Sequence, residues 1–508
     1  DISKPALEAV MNDSIKLHPA KFKNTYSSWM ENVRDWCISR QLWWGHQIPA
    51  YYLPNGKLVV AENKEEALVL AQKIDANYTL ADLKQDEDVL DTWFSSWLWP
   101  ISVFDGFKDP NGADINYYYP TDTLVTAPEI LFFWVARMII AGFEYRKEIP
   151  FKDVYLTGIV RDKQGRKMSK SLGNSPDPLE LITKYGADGM RTGMLFSSPA
   201  GNDLPFDEKL CEQGRNFSNK LWNAFRLIKG WEVSDTIEQP QSNKTAIAWF
   251  EASFQKNLAE IEDHYSKFRI SDVLLRLYNL VWDDFCSWYL EMIKPAYEQP
   301  IDVATRNSSL AFLDQLIKVL HPFMPFITEE IYQHLEEREI SDSICVSAYP
   351  QQAGISEILL QEAEIAFQII SEVRNIRATK QISPKEALPL QIQTAQPELY
   401  SNWGSIIEKL ANISALTFEE SENEGAVSFI VKQENCALII GNLVNPETER
   451  ANLEKELEYA KGFLESVRKK LSNEKFVANA KPDVLEKERA KESDTLAKIE
   501  SIEKQLNR

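Results

Sequence analysis

Between about residue 115 and residue 157 the chain alternates in a way that few folds accommodate. Leu124-Val125-Thr126 reads as a strand, 129–143 as a helix, and Val154-Tyr155-Leu156-Thr157 as a second strand. Two strands joined through a helix run parallel, because the crossover returns the chain to the same end of the sheet. Parallel strands need cover on both faces, so this spacing predicts a doubly wound α/β core. Ahead of it, residues 24–52 are dense in aromatics. Tyr51 to Val60 then reads as strand and turn, with Asn55-Gly56 as the turn, and an Ala/Glu/Lys/Leu helix follows over roughly 63–74.

Beyond Pro205 the period changes. Residues 208–340 show apolar recurrence at three and four residues, as at Val273, Leu274, Leu277, Leu280 and Val281, which predicts a helical bundle. Residues 351–445 mix a helix (about 356–380) with β-like runs at 388–392 and 427–431, a small α/β module. From 446 onward Leu453, Leu457, Ala460, Leu464, Val467 and Leu471 form a heptad seam. Asn473 to Asp483, with Pro482, supplies a turn, and Leu496, Ile499, Ile502 and Leu506 a second stripe. The expected element is a long antiparallel coiled-coil hairpin. A chain of 508 residues exceeds one core. The reading is therefore α/β plus all-α: 1–205 with a small insertion at about 52–90, then 206–350, 351–445 and 446–508.

Composition narrows the class. No run of about 18 apolar residues occurs, so no membrane span is expected. The sequence opens at Asp1, without methionine and in a polar stretch, and reads as part of something longer. Its five scattered cysteines contain no C-x-x-C pair, which argues against a disulfide framework or a cysteine zinc site and suits a reducing cytoplasm. A net charge of −20 argues against a basic nucleic-acid footprint over the whole chain. From residue 445 onward, however, 14 Lys/Arg balance 14 Asp/Glu, so local basic contacts stay open.

The segment Gly165-Arg166-Lys167-Met168-Ser169-Lys170-Ser171-Leu172-Gly173-Asn174 lies after the second strand and before a helix that Asp177-Pro178 would start. Phosphate chemistry needs cations that follow charge as it builds on pyrophosphate oxygens. Two lysines three residues apart, flanked by hydroxyls and hinged by Gly165 and Gly173, meet that need. A bare lysine pair is more often a solvated loop; the full pentapeptide between strand and helix is far more specific.

Lys167-Met168-Ser169-Lys170-Ser171 matches the K-M-S-K-S signature in every position, and the chain resembles the class I aminoacyl-tRNA synthetases. The resemblance implies the second half of a Rossmann-like class I core, followed by a helical anticodon-binding bundle, a linking module and a tRNA-binding arm. It implies Lys167 and Lys170 as catalytic residues, and Lys167, Met168, Ser169, Lys170 and Ser171 as contacts to ATP, which arrives with Mg2+. The other family signature, H-I-G-H, is absent. Trp43-Trp44-Gly45-His46 shares only its last two letters and reads as strand-like. The run from Arg34-Asp35-Trp36 through Ser39-Arg40-Gln41-Leu42-Trp43-Trp44-Gly45-His46 to Pro49, and Asp91-Thr92-Trp93-Phe94-Ser95-Ser96, resemble the valyl branch. Isoleucyl members tend to carry Asp-Val-Trp-Phe-Asp-Ser at the latter, and bacterial ones often end in a cysteine zinc cluster.

Carried over by position, the resemblance implies a valine pocket of Trp93, Glu129, Ile130 and Trp134. Rigid apolar walls set a size limit for a branched aliphatic side chain, and Ile130 and Trp134, four apart, are expected on one helix face. Glu129 departs from the Asp common in related enzymes; its longer carboxylate can still meet the ammonium of valine. On spacing alone, Trp93, Ile130 and Trp134 read as ordinary core residues. Arg215-Asn216-Phe217-Ser218-Asn219-Lys220-Leu221-Trp222-Asn223 resembles the first anticodon-binding helix, which implies tRNA contacts at Lys209 and Lys220 and a base-packing position at Leu227. The terminal arm implies phosphate contacts at Lys461, Arg468, Lys469, Lys470 and Lys475, positions that otherwise read as a solvated helix face. His321, in His321-Pro322-Phe323-Met324-Pro325-Phe326, is assigned to a satisfied hydrogen bond within the bundle.

The implied activity is attachment of L-valine to its tRNA at the expense of ATP, by a cytoplasmic monomer with no resident metal. The first half of the nucleotide fold and a hydrolytic editing domain are expected upstream of Asp1, so this portion is not expected to be active alone. Three alternatives remain: isoleucyl specificity, an RNA-binding module without catalysis, and a nucleotidyltransferase that shares only the lysine loop.

Overall fold

The computed structural model describes residues 2–339, 341–418, 425–441 and 446–472, together with 485, 489, 492, 495, 496 and 499; Lys170 and 446–456 are described through their backbone. The chain divides into two compact units. One comprises 1–225, 257–280 and 314–350, the other 226–256, 281–313 and 351–508.

In the first unit the expected parallel sheet is present. Phe151–Leu156 is its central strand, between Lys16–His18 and Thr121–Thr126, and both pairings are parallel. The crossover from Thr121–Thr126 to Phe151–Leu156 buries Leu131, Val135, Met138 and Ile139 against Phe151, Val154 and Leu156. Ala6, Val10, Ile15 and Tyr26 complete this core.

The crossover is not the single α-helix expected over 129–143. Only Ala136–Ala141 is α-helical, and Leu131–Val135 and Gly142–Arg146 are π turns. A π turn closes from i to i+5, so Ile130 and Trp134 do not share a face through a four-residue repeat. The wider turn gives three consecutive aromatics separate partners. Phe132 meets Trp29, Phe133 stacks on Trp93, and Trp134 donates to the Ser96 carbonyl.

The strand-and-turn stretch from Tyr51 to Val60 is present, with Ala50–Tyr52 and Leu58–Val60 antiparallel about the Asn55-Gly56 turn. Lys64–Gln72 forms the helix, capped by Asn63, whose side chain accepts from the Glu66 amide. The Trp43-Trp44 run is a loop between Ser39–Arg40 and Ala50–Tyr52 rather than a strand. A strand would put the two rings on opposite faces; here both stand in solvent, at 106% and 91% exposure.

Two helices of this unit touch backbone to backbone. A Cβ on Gly193 of Ala187–Phe196 would lie 2.6 Å from the Cys211 amide, and one on Gly214 of Glu208–Gly230 would lie 2.5 Å from the Gly189 carbonyl. Beside them, the buried Asp188 carboxylate accepts from the Phe326 and Ile327 amides, capping Pro325–Leu335. Arg191 donates to the carbonyls of Pro322 and Phe323. From Glu208 to Leu335 the elements are mainly helical, as the apolar period predicts, although Leu280–Tyr289 is π.

The second unit contains a four-stranded mixed sheet in the order Ile413–Thr417, Leu388–Gln393, Glu434–Ile439, Ala426–Val431. Only the first pair is parallel. Helices Glu357–Thr379 and Pro397–Ala411 join it, with Trp403 fully buried beside Phe367. The helix and two strands expected here are present; Ile413–Thr417, Glu434–Ile439 and Pro397–Ala411 were not read from the sequence. The last described helix, Pro446–Leu471, buries Ala460 and Leu464 with Ile499. The expected turn at 473–483, Lys475, Ile502, Leu506 and the side chain of Leu453 lie outside the described residues.

Candidate active site and RNA-binding helices

Loops at the carboxyl ends of neighbouring parallel strands are where open α/β sheets hold ligands. Thr121–Thr126 leads into Glu129, and Phe151–Leu156 leads into the lysine-rich segment. The second exit is tight, because a Cβ on Gly158 would lie 1.8 Å from the Asn202 carbonyl. The chain then forms Val160–Arg161, parallel to Leu204–Pro205, and Arg161 bridges back to Lys167.

Asp162 organises the loop. Its carboxylate accepts from the amides of Gln164 and Arg166, from Arg166 Nε at 2.8 Å and from Asn174 Nδ2 at 3.0 Å. The Asn174 bond, ahead of those from Arg166 and Gln164, holds this carboxyl well below the usual range. Asn174 works in both directions, since its Oδ1 accepts from the Ser169 amide (2.9 Å) and its Nδ2 also donates to the Lys167 carbonyl (3.3 Å). Entry and exit of the signature segment are thus tied by one Asp–Asn contact. Gly165 and Gly173, at φ of +77° and +62°, supply the left-handed turns between them.

Lys167 Nζ lies 2.8 and 3.0 Å from the two oxygens of Glu129. The lysine expected to meet ATP and the carboxylate expected to meet valine are therefore brought together. Met168 is half-buried, and Ser169 and Ser171 place their hydroxyls 3.2 Å apart. Lys170 opens the short helical turn Lys170–Leu172.

Trp93 sits on Thr92–Ser96, which Asp91 caps through the Trp93 amide at 2.8 Å. Arg40 forms an ion pair with Asp91, so the two stretches singled out as branch markers clasp each other. Trp93, Ile130 and Trp134 are all half-buried. Phe94, Trp97, Phe132 and Arg137, neighbours of these residues, line a groove of about 910 Å³ into which none of the expected site side chains projects. Arg137 stacks on Trp36 at 3.4 Å from the ring centroid. Sequence reasoning missed Arg40, Asp91, Asp162, Asn174 and Arg137. Asp162, three residues before Gly165, carries the signal of an Asx turn; the others carry none without the fold.

Lys209, Lys220 and Leu227 all lie on Glu208–Gly230, Lys209 exposed and the other two half-buried. Lys461, Arg468, Lys469 and Lys470 are exposed on Pro446–Leu471, and Arg468 Nε donates to Glu492 at 2.7 Å. His321 bonds Thr328 Oγ1 through Nδ1 at 2.8 Å.

Residues 1–207 match the tRNA synthetases class I (I, L, M and V), 248–392 the anticodon-binding domain of tRNA ligase, and 446–508 the valyl tRNA synthetase tRNA binding arm. The chain is 56% identical over 507 residues to the valine–tRNA ligase of Parabacteroides distasonis and 56% identical over 503 to that of Phocaeicola vulgatus. The chain belongs to the class I tRNA synthetases, in their valyl branch. Similarity to the valine–tRNA ligase of Chlorobaculum tepidum, at 37% over 542 residues, also runs along 99% of the chain. The chain spans 58% of the length of the Parabacteroides relative and 57% of the Phocaeicola one.

Proposed function

We propose that this chain supplies the triphosphate-handling loop, part of the amino-acid pocket and the tRNA-holding helices of an enzyme that attaches L-valine to its tRNA. Valine and ATP, with Mg2+, form valyl-adenylate and pyrophosphate; a ribose hydroxyl at the tRNA 3′ end then takes the valyl group and AMP leaves. The observation that carries this reading is the meeting of Lys167 and Glu129 at the carboxyl ends of adjacent parallel strands.

Attack of the valine carboxylate on the α-phosphate is chiefly a matter of positioning and charge stabilisation. The α-ammonium of valine can replace Lys167 on Glu129, leaving Lys167 to join Lys170 on the phosphates. The Asp162–Asn174 tie holds the backbone from which both lysines act. Trp93, Ile130 and Trp134 bound the valine side chain. Lys209, Lys220 and Leu227 serve the anticodon end of the tRNA, and Arg468, Lys469 and Lys470 its backbone. The H-I-G-H pair does not occur in this sequence, and we assign adenylation to the longer enzyme rather than to this chain alone. On the resemblance, we assign the activity to a cytoplasmic monomer. Among the described residues no helix is long and apolar enough to cross a membrane.

The test is a chimera in which this chain replaces the corresponding 58% of the Parabacteroides relative. Valine-dependent exchange of pyrophosphate into ATP is expected from the chimera and not from the chain alone. Exchange that depends on isoleucine instead would sink the valine assignment. Tight tRNA binding by a chimera with no exchange would favour an RNA-binding role without catalysis.

A further inference from the structure

Away from this site, His321, Glu329 and Cys345 bring an imidazole nitrogen, a carboxylate oxygen and a thiol sulfur within 4.8 Å of one another. They come from three short stretches of the first unit: the turn after Leu320, the Pro325–Leu335 helix, and the Ile344–Val346 turn.

Hydrogen-bond accounting sets the imidazole tautomer. Thr328 Oγ1 donates its proton to the Met324 carbonyl at 2.7 Å, so toward His321 Nδ1, at 2.8 Å, it accepts. The ring proton therefore sits on Nδ1. Nε2 keeps its lone pair, and that lone pair faces Cys345 Sγ at 3.1 Å. This is the arrangement of a histidine ligand whose far nitrogen is oriented by a neighbouring hydrogen bond.

The other two donors are positioned as firmly. Glu329 Oε2 accepts from the Ser343 hydroxyl (2.7 Å) and the Ile344 amide (3.2 Å), and Oε1 accepts from Gln333. Ser343 Oγ in turn accepts from the Cys345 amide. One carboxylate thus anchors the turn that carries the thiol. Oε1 accepts a single bond among these and retains a lone pair.

We propose that His321 Nε2, Glu329 and Cys345 Sγ bind one zinc-class divalent cation, with water completing four-coordination. A nitrogen, oxygen and sulfur set suits zinc, whereas calcium and magnesium favour oxygen alone. Cys345 is exposed, which gives the ion a path and the water a place. On binding, the Cys345 thiol releases its proton to solvent and the thiolate takes the metal. The ion ties the Ile344–Val346 turn to the Pro325–Leu335 helix and takes no part in adenylation. The scattered cysteines led to an expectation of no resident metal, but that reasoning covers cysteine pairs and not a single cysteine joined by histidine and glutamate.

The experiment uses the full chain, stripped with a chelator under a non-thiol reductant and titrated with Zn2+ and with Co2+. One ion per chain is expected, with a near-ultraviolet thiolate-to-cobalt band. Loss of outer-shell partners alone costs roughly 10–100-fold in metal affinity, so His321→Gln and Cys345→Ser should each exceed that loss. Cys345→Ser should also remove the band. Cys37→Ser, at another exposed thiol, should change neither. Circular dichroism identifies any variant that fails to fold, and the band in the unmodified chain needs no variant. No zinc uptake at micromolar concentration, or uptake that survives both ligand substitutions, overturns the proposal and leaves an S–H···N hydrogen bond.

Discussion

Glu129 and Lys167 are both about half exposed, and an ion pair of that kind contributes about 0–1 kcal/mol to stability. The pair matters for occupancy: while Glu129 holds the lysine, neither group is available to a substrate. Glu129→Gln should leave thermal stability nearly unchanged and raise the rate at which Lys167 is acylated, read by mass spectrometry of the labelled chain. An unchanged acylation rate would mean that the pair does not persist in solution. Lys170 is a separate matter. In the chimera, Lys170→Ala should slow adenylation by about a hundredfold or more while valine affinity holds, because a cation that follows transition-state charge acts on rate. A normal single-turnover rate with weakened valine binding would remove it from that role. The sequence shows both lysines through their motif. It shows nothing of the Glu129 contact, because the partners lie 38 positions apart, with a crossover, a strand and a loop between them.

At the scale of elements, the signature loop is a closed ring of hydrogen bonds, and its closure rests on Asn174. Asn174→Ala removes bonds to Asp162, Ser169 and Lys167 together. It should slow adenylation by about tenfold, equivalent to roughly 1.4 kcal/mol of lost positioning, with no change in melting temperature. A melting temperature that falls with the rate would make Asn174 a folding residue instead. The pH dependence of the loop follows from Asp162. Its carboxyl is depressed in the folded chain, so its contribution is present above the unfolded value of about 3.9 and is lost as pH falls through the lower folded value. Protection of loop amides from hydrogen exchange, corrected for intrinsic rates, should therefore hold from neutrality to about pH 5. Elements with an uninterrupted period were legible: the two parallel strands, the Lys64–Gln72 helix and the Glu357–Thr379 helix. The π turn at Leu131–Val135 was not, because it gives Phe132, Phe133 and Trp134 separate partners, which is a tertiary demand. The same holds for Gly193 and Gly214, whose meaning appears only when two helices meet without side chains between them.

For the whole molecule, a net charge of −20 opposes the proposed hold on a polyanion. The balanced terminal segment offers an answer. Lys461, Arg468, Lys469 and Lys470 stand exposed on one helix, and Arg468 forms an ion pair with Glu492. If this helix is an arm against the tRNA backbone, deleting 446–508 should weaken tRNA binding by the chain. In the chimera it should leave adenylation nearly unchanged, since no part of the Asp162–Asn174 loop or of Glu129 lies in that segment. The lost affinity should be salt-dependent. Each lysine–phosphate contact releases condensed counterions, so the slope of log affinity against log salt should become shallower by about one for each contact removed. The apolar contacts of Ala460 and Leu464 with Ile499 support a different outcome if this segment also joins two chains. In that case the deletion should lower molecular mass in solution while tRNA affinity and its salt slope stay fixed. Light scattering on the intact and shortened chains, beside tRNA titrations at two salt concentrations, separates the two. A lower mass with an unaltered salt slope would reject the arm, and an unaltered mass with a shallower slope would establish it.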